Sequence, residues 1–219
     1  MGEVSYRPLI EDMIWSYSRL EAFDDCPYRW FLKYIKHCKE SDKFYATYGS
    51  FMHKLIERYY NGTLTKDEMV TKFLVDFSKE VRGTRPQESI VTKYIQCGCE
   101  YLRSFQPFRF NMIDVEKRVE FNIDGTPFVG FIDYLGEEDG ELVIVDNKSR
   151  DLKPRSKRAK PTLKDQELDS MLKQLYIYSA AVKQEYGKFP KLLCFNCFRT
   201  GTFIEEPFNE DAYNAAIEW

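Results

Sequence analysis

The hydrophobic pattern of this chain changes period after Pro107, and no other feature restricts its architecture as much. Upstream, apolar residues recur at three- and four-residue intervals, the spacing of a helix with one buried face. Met52, Leu55, Ile56 and Tyr59 predict a helix beginning near Gly49, and Thr65 with Glu68 forms a capping box ahead of Met69, Phe73 and Phe77. Ser18 and Glu21 read as a second such box before Leu20 and Phe23. Pro27 suits a first helical position, with Asp24 or Asp25 as its cap and Tyr28, Phe31, Leu32 and Ile35 following. A further helix is predicted over Glu88–Phe105.

Downstream, alternation takes over. Val119, Phe121 and Ile123 mark a strand over 115–123, "PFVGFIDYL" a second over 127–135, and "ELVIV" a third from 141 after the turn "GEEDG". Short connections predict an antiparallel meander. A helix over Gln166–Tyr186 follows, then a strand over 191–198 that 202–208 can pair with. Asn209 or Asp211 caps a last helix of barely two turns before Trp219, which leaves room for a C-terminal tail beyond this sequence. The expectation is one α/β domain over 1–219 with a mixed sheet flanked by helices and a helical N-terminal half.

A 43% hydrophobic and 16% aromatic composition supports an aromatic-rich globular core. No apolar run approaches the ~20 residues of a membrane span, and Met1–Asp12 lacks a signal peptide's basic flank and apolar stretch. Six cysteines do not make a disulfide scaffold, so reduced thiols in a cytoplasm are expected. A formal charge of -3 argues against a general nucleic-acid binder, with a local exception. The segment 148–164 holds eight basic residues, among them Arg150, Lys153, Arg155, Lys157 and Arg158, against the single acid Asp151. Such a run reads either as a solvated loop, which Pro154 and Pro161 suit, or as a phosphate-binding segment.

The chemistry concentrates where the third strand ends, in "VDNKSR". Asp133 on the middle strand and Asp146 at the end of the next can meet at one sheet edge if the hairpin pairs around "GEEDG". Two carboxylates in an apolar setting raise each other's pKa unless a cation stands between them, and Mg²⁺ takes such oxygen ligands. Lys148 leaves the strand on the same face as Asp146, while the Asn147 backbone carbonyl remains available as a further metal ligand. An ammonium there can orient water or balance charge on a phosphate. The alternative is a structural Asp–Lys pair at a strand end.

Five segments in fixed order extend this pattern: "SYSRLEAFDDCPYRWF", Gly49 with His53, "GFID", "VDNKS" and Gln174-x-x-x-Tyr178. In these, from about Ser16 to Phe208, the chain resembles the PD-(D/E)XK nuclease superfamily, and within it the RecB-like exonucleases, including the CRISPR-associated RecB-like nucleases. The resemblance implies a restriction-endonuclease-like core, with His53, Asp133 and Asp146 binding a divalent metal and Lys148 as the catalytic lysine. It places Gln174 and Tyr178 beside the active site, where they help hold DNA and the lysine; helical spacing alone makes them an ordinary half-buried pair. A histidine ligand makes Mn²⁺ as suitable as Mg²⁺. Glu116 and Glu120 are possible further members of the acidic cluster, neither favoured over a surface role.

Some RecB-like families carry an iron–sulfur cluster on four cysteines. Cys26-Pro27 matches the first position, but Cys194 and Cys197 fall three apart on one strand and should face opposite ways, so no cluster is expected in this chain. The expected function is a metal-dependent deoxyribonuclease, an exonuclease in repair, recombination, phage or CRISPR-associated processing, acting on DNA with little sequence preference. A helicase or other DNA-processing partner would have to supply unwinding. The competing expectation is a non-catalytic DNA-binding or assembly subunit that keeps the fold.

Overall fold

A computed structural model describes residues 6–219; Met1–Ser5, the start of the segment read against a signal peptide, lie outside the described residues. The elements run α1 (Arg7–Glu11), α2 (Tyr17–Asp25), α3 (Pro27–Trp30), α4 (Phe44–Tyr60), α5 (Lys66–Glu80), α6 (Glu88–Ser104), β1 (Asn111–Ile123), β2 (Thr126–Glu138), β3 (Glu141–Lys148), α7 (Leu163–Tyr186), β4 (Leu192–Cys197), β5 (Thr202–Pro207) and α8 (Glu210–Glu218). No helix among the described residues is long and apolar enough to cross a membrane.

The strands form one sheet in the order β1-β2-β3-β4-β5. β1, β2 and β3 are the expected antiparallel meander, β3 and β4 run parallel, and β5 returns antiparallel to β4, so the sheet is mixed. Both hairpins of the meander turn on Asp-Gly pairs, Asp124–Gly125 and Asp139–Gly140, with positive φ at all four residues as a type I′ turn requires. That economy corrects the predicted turn at 136–140: Gly136–Glu138 stay in β2 and only two residues reverse the chain. The parallel step from β3 to β4 needs a crossover, which α7 supplies.

Side-chain alternation divides the sheet between two cores. On one face Ile132, Leu142, Ile144, Phe195 and Cys197 pack with Leu168, Leu172, Leu175 and Tyr178 of α7. On the other, Tyr134, Val143, Val145 and Cys194 meet Phe110, with Tyr60 of α4 packed against them. Cys194 and Cys197 thus face opposite cores. α4, α5 and α6 share a third cluster, rich in Phe44, Tyr48, Phe51, Phe73 and Phe77. Each such side chain, once fully buried, is worth roughly 1.5–3 kcal/mol.

Several helix starts depart from expectation. The Thr65–Glu68 capping box is present, but α2 is capped by Ser16, whose hydroxyl accepts from Arg19 N–H, rather than by Ser18. Pro27 does occupy a first helical position, behind Cys26 rather than an aspartate. α3 then loosens into a π turn over Phe31–Ile35, so Trp30 and Ile35, five apart, face inward and Tyr28 is exposed. α4 begins at Phe44, which puts Gly49 inside the helix instead of at its start. α7 is capped by a Thr162–Asp165 box, α8 by Asn209.

Candidate active site

A cleft of about 620 Å³ opens where α2, α4, β3 and α7 converge. Trp15 sets the α2 wall: its backbone N–H donates to Pro127 C=O and its carbonyl accepts from Val129 N–H, which pins the chain beside β2. Helix α2 therefore starts with Tyr17, Ser18 and Glu21 along the cleft. From α4, Tyr45, Gly49, His53 and Glu57 line it, one residue per turn, while Met52, Leu55 and Ile56 enter the helical core.

The floor is the end of the β2–β3 ladder. Backbone pairing stops at Tyr134–Val145, and just past it the Asp133 carboxylate takes over, its Oδ2 accepting from Asn147 N–H at 2.6 Å. Asp133 and Asp146 are 9% and 4% exposed, so both carboxylates sit in a setting that penalises charge. Burial raises the Asp146 pKa, and Asp133 adds to the rise while Lys148 and His53 oppose it. Lys148 Nζ stands 2.8 Å from Asp146 Oδ2 as an ion pair, yet that oxygen accepts no hydrogen bond of good geometry. The ammonium instead donates to Gln174 Oε1 at 2.7 Å, and Gln174 Nε2 donates to the Tyr178 hydroxyl at 3.3 Å.

His53 reaches the floor from above. Its Nε2–H donates to the Asn147 carbonyl at 2.8 Å, and its Nδ1 lies 3.3 Å from Asp133 Oδ2 and 3.8 Å from Glu116 Oε1. All three partners are acceptors, so both ring nitrogens carry protons. Burial disfavours the imidazolium, but Asp133, Glu116 and Asp146 outweigh it and push the pKa up to about 10. Glu116 arrives by an irregular route, with φ +50 inside β1, near the break in β1–β2 register between Met112 and Asp114. A non-glycine residue in the left-handed region is uncommon and costs on the order of 1–3 kcal/mol.

His53, Glu116 and Asp133 each offer a ligand atom within 4.8 Å of the others. An imidazole and carboxylates suit a divalent transition ion or, through the oxygens, Mg²⁺. Asp146 is not one of the three: its Oδ2 already faces the Lys148 ammonium at 2.8 Å. The cysteines do not take part: Cys26 is half-buried, and Cys194 and Cys197 lie in separate cores.

Sequence reasoning therefore placed His53, Asp133, Asp146, Lys148 and Gln174 in one cleft. Tyr178 is 7% exposed, packed over Gly130, and its hydroxyl accepts from the cleft residue Gln174. Glu116 joins the group, whereas Glu120 is exposed and pairs with Arg118. The basic run divides. Arg150 lines the cleft, but Arg155 is taken up by Asp169 and Glu206 at 2.7 Å each, and Lys153 by Asp151 at 2.8 Å. Lys157 and Arg158 are exposed on the loop.

No curated protein matches the sequence significantly. Among solved structures, one described as "Putative exonuclease" from Eubacterium rectale shares the fold, with a TM-score of 0.58 at 15% identity, covering 100% of this chain and 82% of that one. The structure of SSO0001, also 15% identical and covering 98% of this chain and 86% of that one, superposes with a TM-score of only 0.29. The PD-(D/E)XK nuclease superfamily model matches residues 14–212, from just before the Trp15 anchor into α8. With that match enclosing the whole cleft and the sheet that builds it, the chain belongs to the PD-(D/E)XK nuclease superfamily.

Proposed function

We propose that this protein is a divalent-metal-dependent deoxyribonuclease that hydrolyses phosphodiester bonds, working as an exonuclease. The observation that carries the reading is the placement of Lys148, paired with Asp146 and held by Gln174, beside the His53–Glu116–Asp133 group in one cleft. His53, Glu116, Asp133 and Asp146, with the Asn147 carbonyl in reach, would hold Mg²⁺ or Mn²⁺, which supplies positive charge to a phosphate and acidifies water. Lys148 carries the protein's own share of the chemistry: its ammonium stabilises charge growing on the phosphate oxygens and orients the attacking water. Gln174 keeps the lysine extended, and the buried Tyr178 hydroxyl fixes Gln174.

Phosphate contacts fall to cations not already spent on carboxylates. Arg150 in the cleft and Lys157 and Arg158 on the loop meet that condition better than Arg155 or Lys153. Contacts of that type carry little sequence information and weaken steeply with salt. Residues from α2 through α7 build the cleft together, which supports reading 1–219 as one nuclease domain. Six free cysteines suit a reducing cytoplasm. Unwinding of duplex substrate would fall to a partner such as a helicase.

Purified protein with Mn²⁺ or Mg²⁺ should degrade end-labelled linear DNA and spare closed circular DNA. Cleavage of both at equal rates would make it an endonuclease. Cleavage by neither, with the folded protein and either metal, would remove the nuclease reading.

A further inference from the structure

Behind the cleft, β3 and β4 carry a buried amide pair for which the proposed chemistry has no direct use. Asn147 and Asn196 are register partners across the parallel ladder, each 4% exposed. Asn196 Nδ2 donates to Asn147 Oδ1 at 2.7 Å and to the Tyr101 hydroxyl of α6 at 2.7 Å. The neighbouring inward residues Val143, Val145 and Cys194 are apolar, so two leucines would fill this place without any polar group to satisfy. Mutual satisfaction explains how the amides tolerate burial but not what they contribute.

The Asn147 backbone suggests an answer. Its N–H donates to Asp133 Oδ2 at 2.6 Å, and its carbonyl accepts from His53 Nε2 at 2.8 Å. One residue thus grips two members of the metal-ligating group with its two peptide edges. It does so where β2 no longer pairs, because the β2–β3 ladder has ended at Tyr134–Val145. On that side no strand fixes the twist of the Asn147 peptides. Restraint comes from β4 and from the side chain, which is held by Asn196, itself bonded to Tyr101.

We propose that Asn196, braced by Tyr101, is a positioning residue that sets the Asn147 backbone so that His53 and Asp133 stand in ligand geometry. This rests on the metal-centre reading, since it concerns the readiness of that centre to take an ion. Groups that orient metal ligands typically contribute about 10–100-fold in metal affinity.

The test compares wild type, Asn196→Leu and the double variant Asn147→Leu/Asn196→Leu, with Mn²⁺ binding measured by calorimetry at fixed pH and melting followed in the metal-free proteins. Asn196→Leu strands Asn147 Oδ1 and should lower the melting temperature. Replacing both amides removes the stranded group and should restore much of that loss. A purely structural pair predicts that Mn²⁺ affinity recovers along with the melting temperature. Positioning predicts that affinity stays at least about tenfold weaker in both variants. Wild-type affinity in the folded double variant would overturn the proposal and leave the metal centre standing, whereas a wild-type protein that binds no Mn²⁺ would remove both. If the double variant does not fold, Tyr101→Phe decides. About tenfold weaker binding with near-wild-type melting supports the proposal, and unchanged binding overturns it.

Discussion

Lys148 and Asp146 sit two residues apart on one strand and meet as an ion pair of a half-buried ammonium with a buried carboxylate, while Gln174 from the crossover helix accepts from the same ammonium. The Nζ end of the lysine is therefore held by two partners. Lys148→Ala should fold and lose on the order of 10²–10³-fold in DNA cleavage, the loss expected for one oriented charge-stabilising group. Cleavage rates on end-labelled DNA check this, and wild-type rates would take Lys148 out of the machinery.

Metal should stabilise the protein. At an ion concentration 100 times its dissociation constant, binding adds about 2.7 kcal/mol, or about 5–10 °C in melting temperature for a chain this size. Glu116→Gln and Asp133→Asn should each lose most of that gain, since both lie in the ligand group. Thermal melts with Mn²⁺ and with EDTA give the comparison. A full gain in Glu116→Gln would exclude Glu116 as a ligand.

The raised pKa of His53 gives the metal-free protein a pH-dependent stability. The folded state holds the imidazole proton up to about pH 10, the unfolded chain only to about 6.5. The contribution is fully present below about pH 6.5 and is lost as pH rises through 10. Melting temperature in EDTA should therefore fall over that window, and less so in His53→Gln. Deprotonation also frees the ring for metal, so Mn²⁺ affinity should rise over the same range.

Two glycines separate packing from positioning. A Cβ at Gly130 would stand 2.5 Å from Tyr178 Cε1, and one at Gly98 would collide with Phe73 in the helical core. Overpacking of this type costs about 1–3 kcal/mol, so both alanine variants should melt earlier. Only Gly130→Ala should also lose activity beyond its loss of folded protein, because Tyr178 supports Gln174 and through it Lys148. Equal specific activities in the two folded variants would break that link.

Cations along the basic run should differ in a binding assay. Arg150→Ala should weaken DNA affinity and reduce the salt slope by about one. Arg155→Ala should leave both nearly unchanged, as its guanidinium already serves Asp169 and Glu206. Filter binding in a salt series distinguishes them, and equal slopes for the two variants would contradict the division.

What could be read from the sequence was decided by local contacts. Asp133, Asp146 and Lys148 were legible because strand alternation and a short hairpin fix their faces and registers within sixteen residues. The Thr65–Glu68 box was legible for the same reason. Ser18–Glu21 has the same pattern but does not cap, because Trp15 is pinned to β2 and the chain turns helical at Tyr17, leaving Ser16 as cap. Glu116 and Glu120 looked alike, and only the left-handed turn at Glu116, a product of tertiary register, sends one of them to His53. The Asn147–Asn196 pair needs the parallel β3–β4 register, which no local pattern encodes. The early start of α4 likewise follows from burial of Phe44 and Tyr48 against α5 and α6 rather than from any cap.

The sheet order puts β3 in the middle, with Val143, Ile144 and Val145 bonded to β2 on one side and β4 on the other. Amides in such a strand exchange with solvent only through openings that approach global unfolding, unlike those of edge strands or frayed helix ends. Asp146 follows directly from this most protected segment. On heating, the cleft should consequently keep its floor until the sheet itself gives way, so inactivation follows the cooperative melt rather than an earlier local opening.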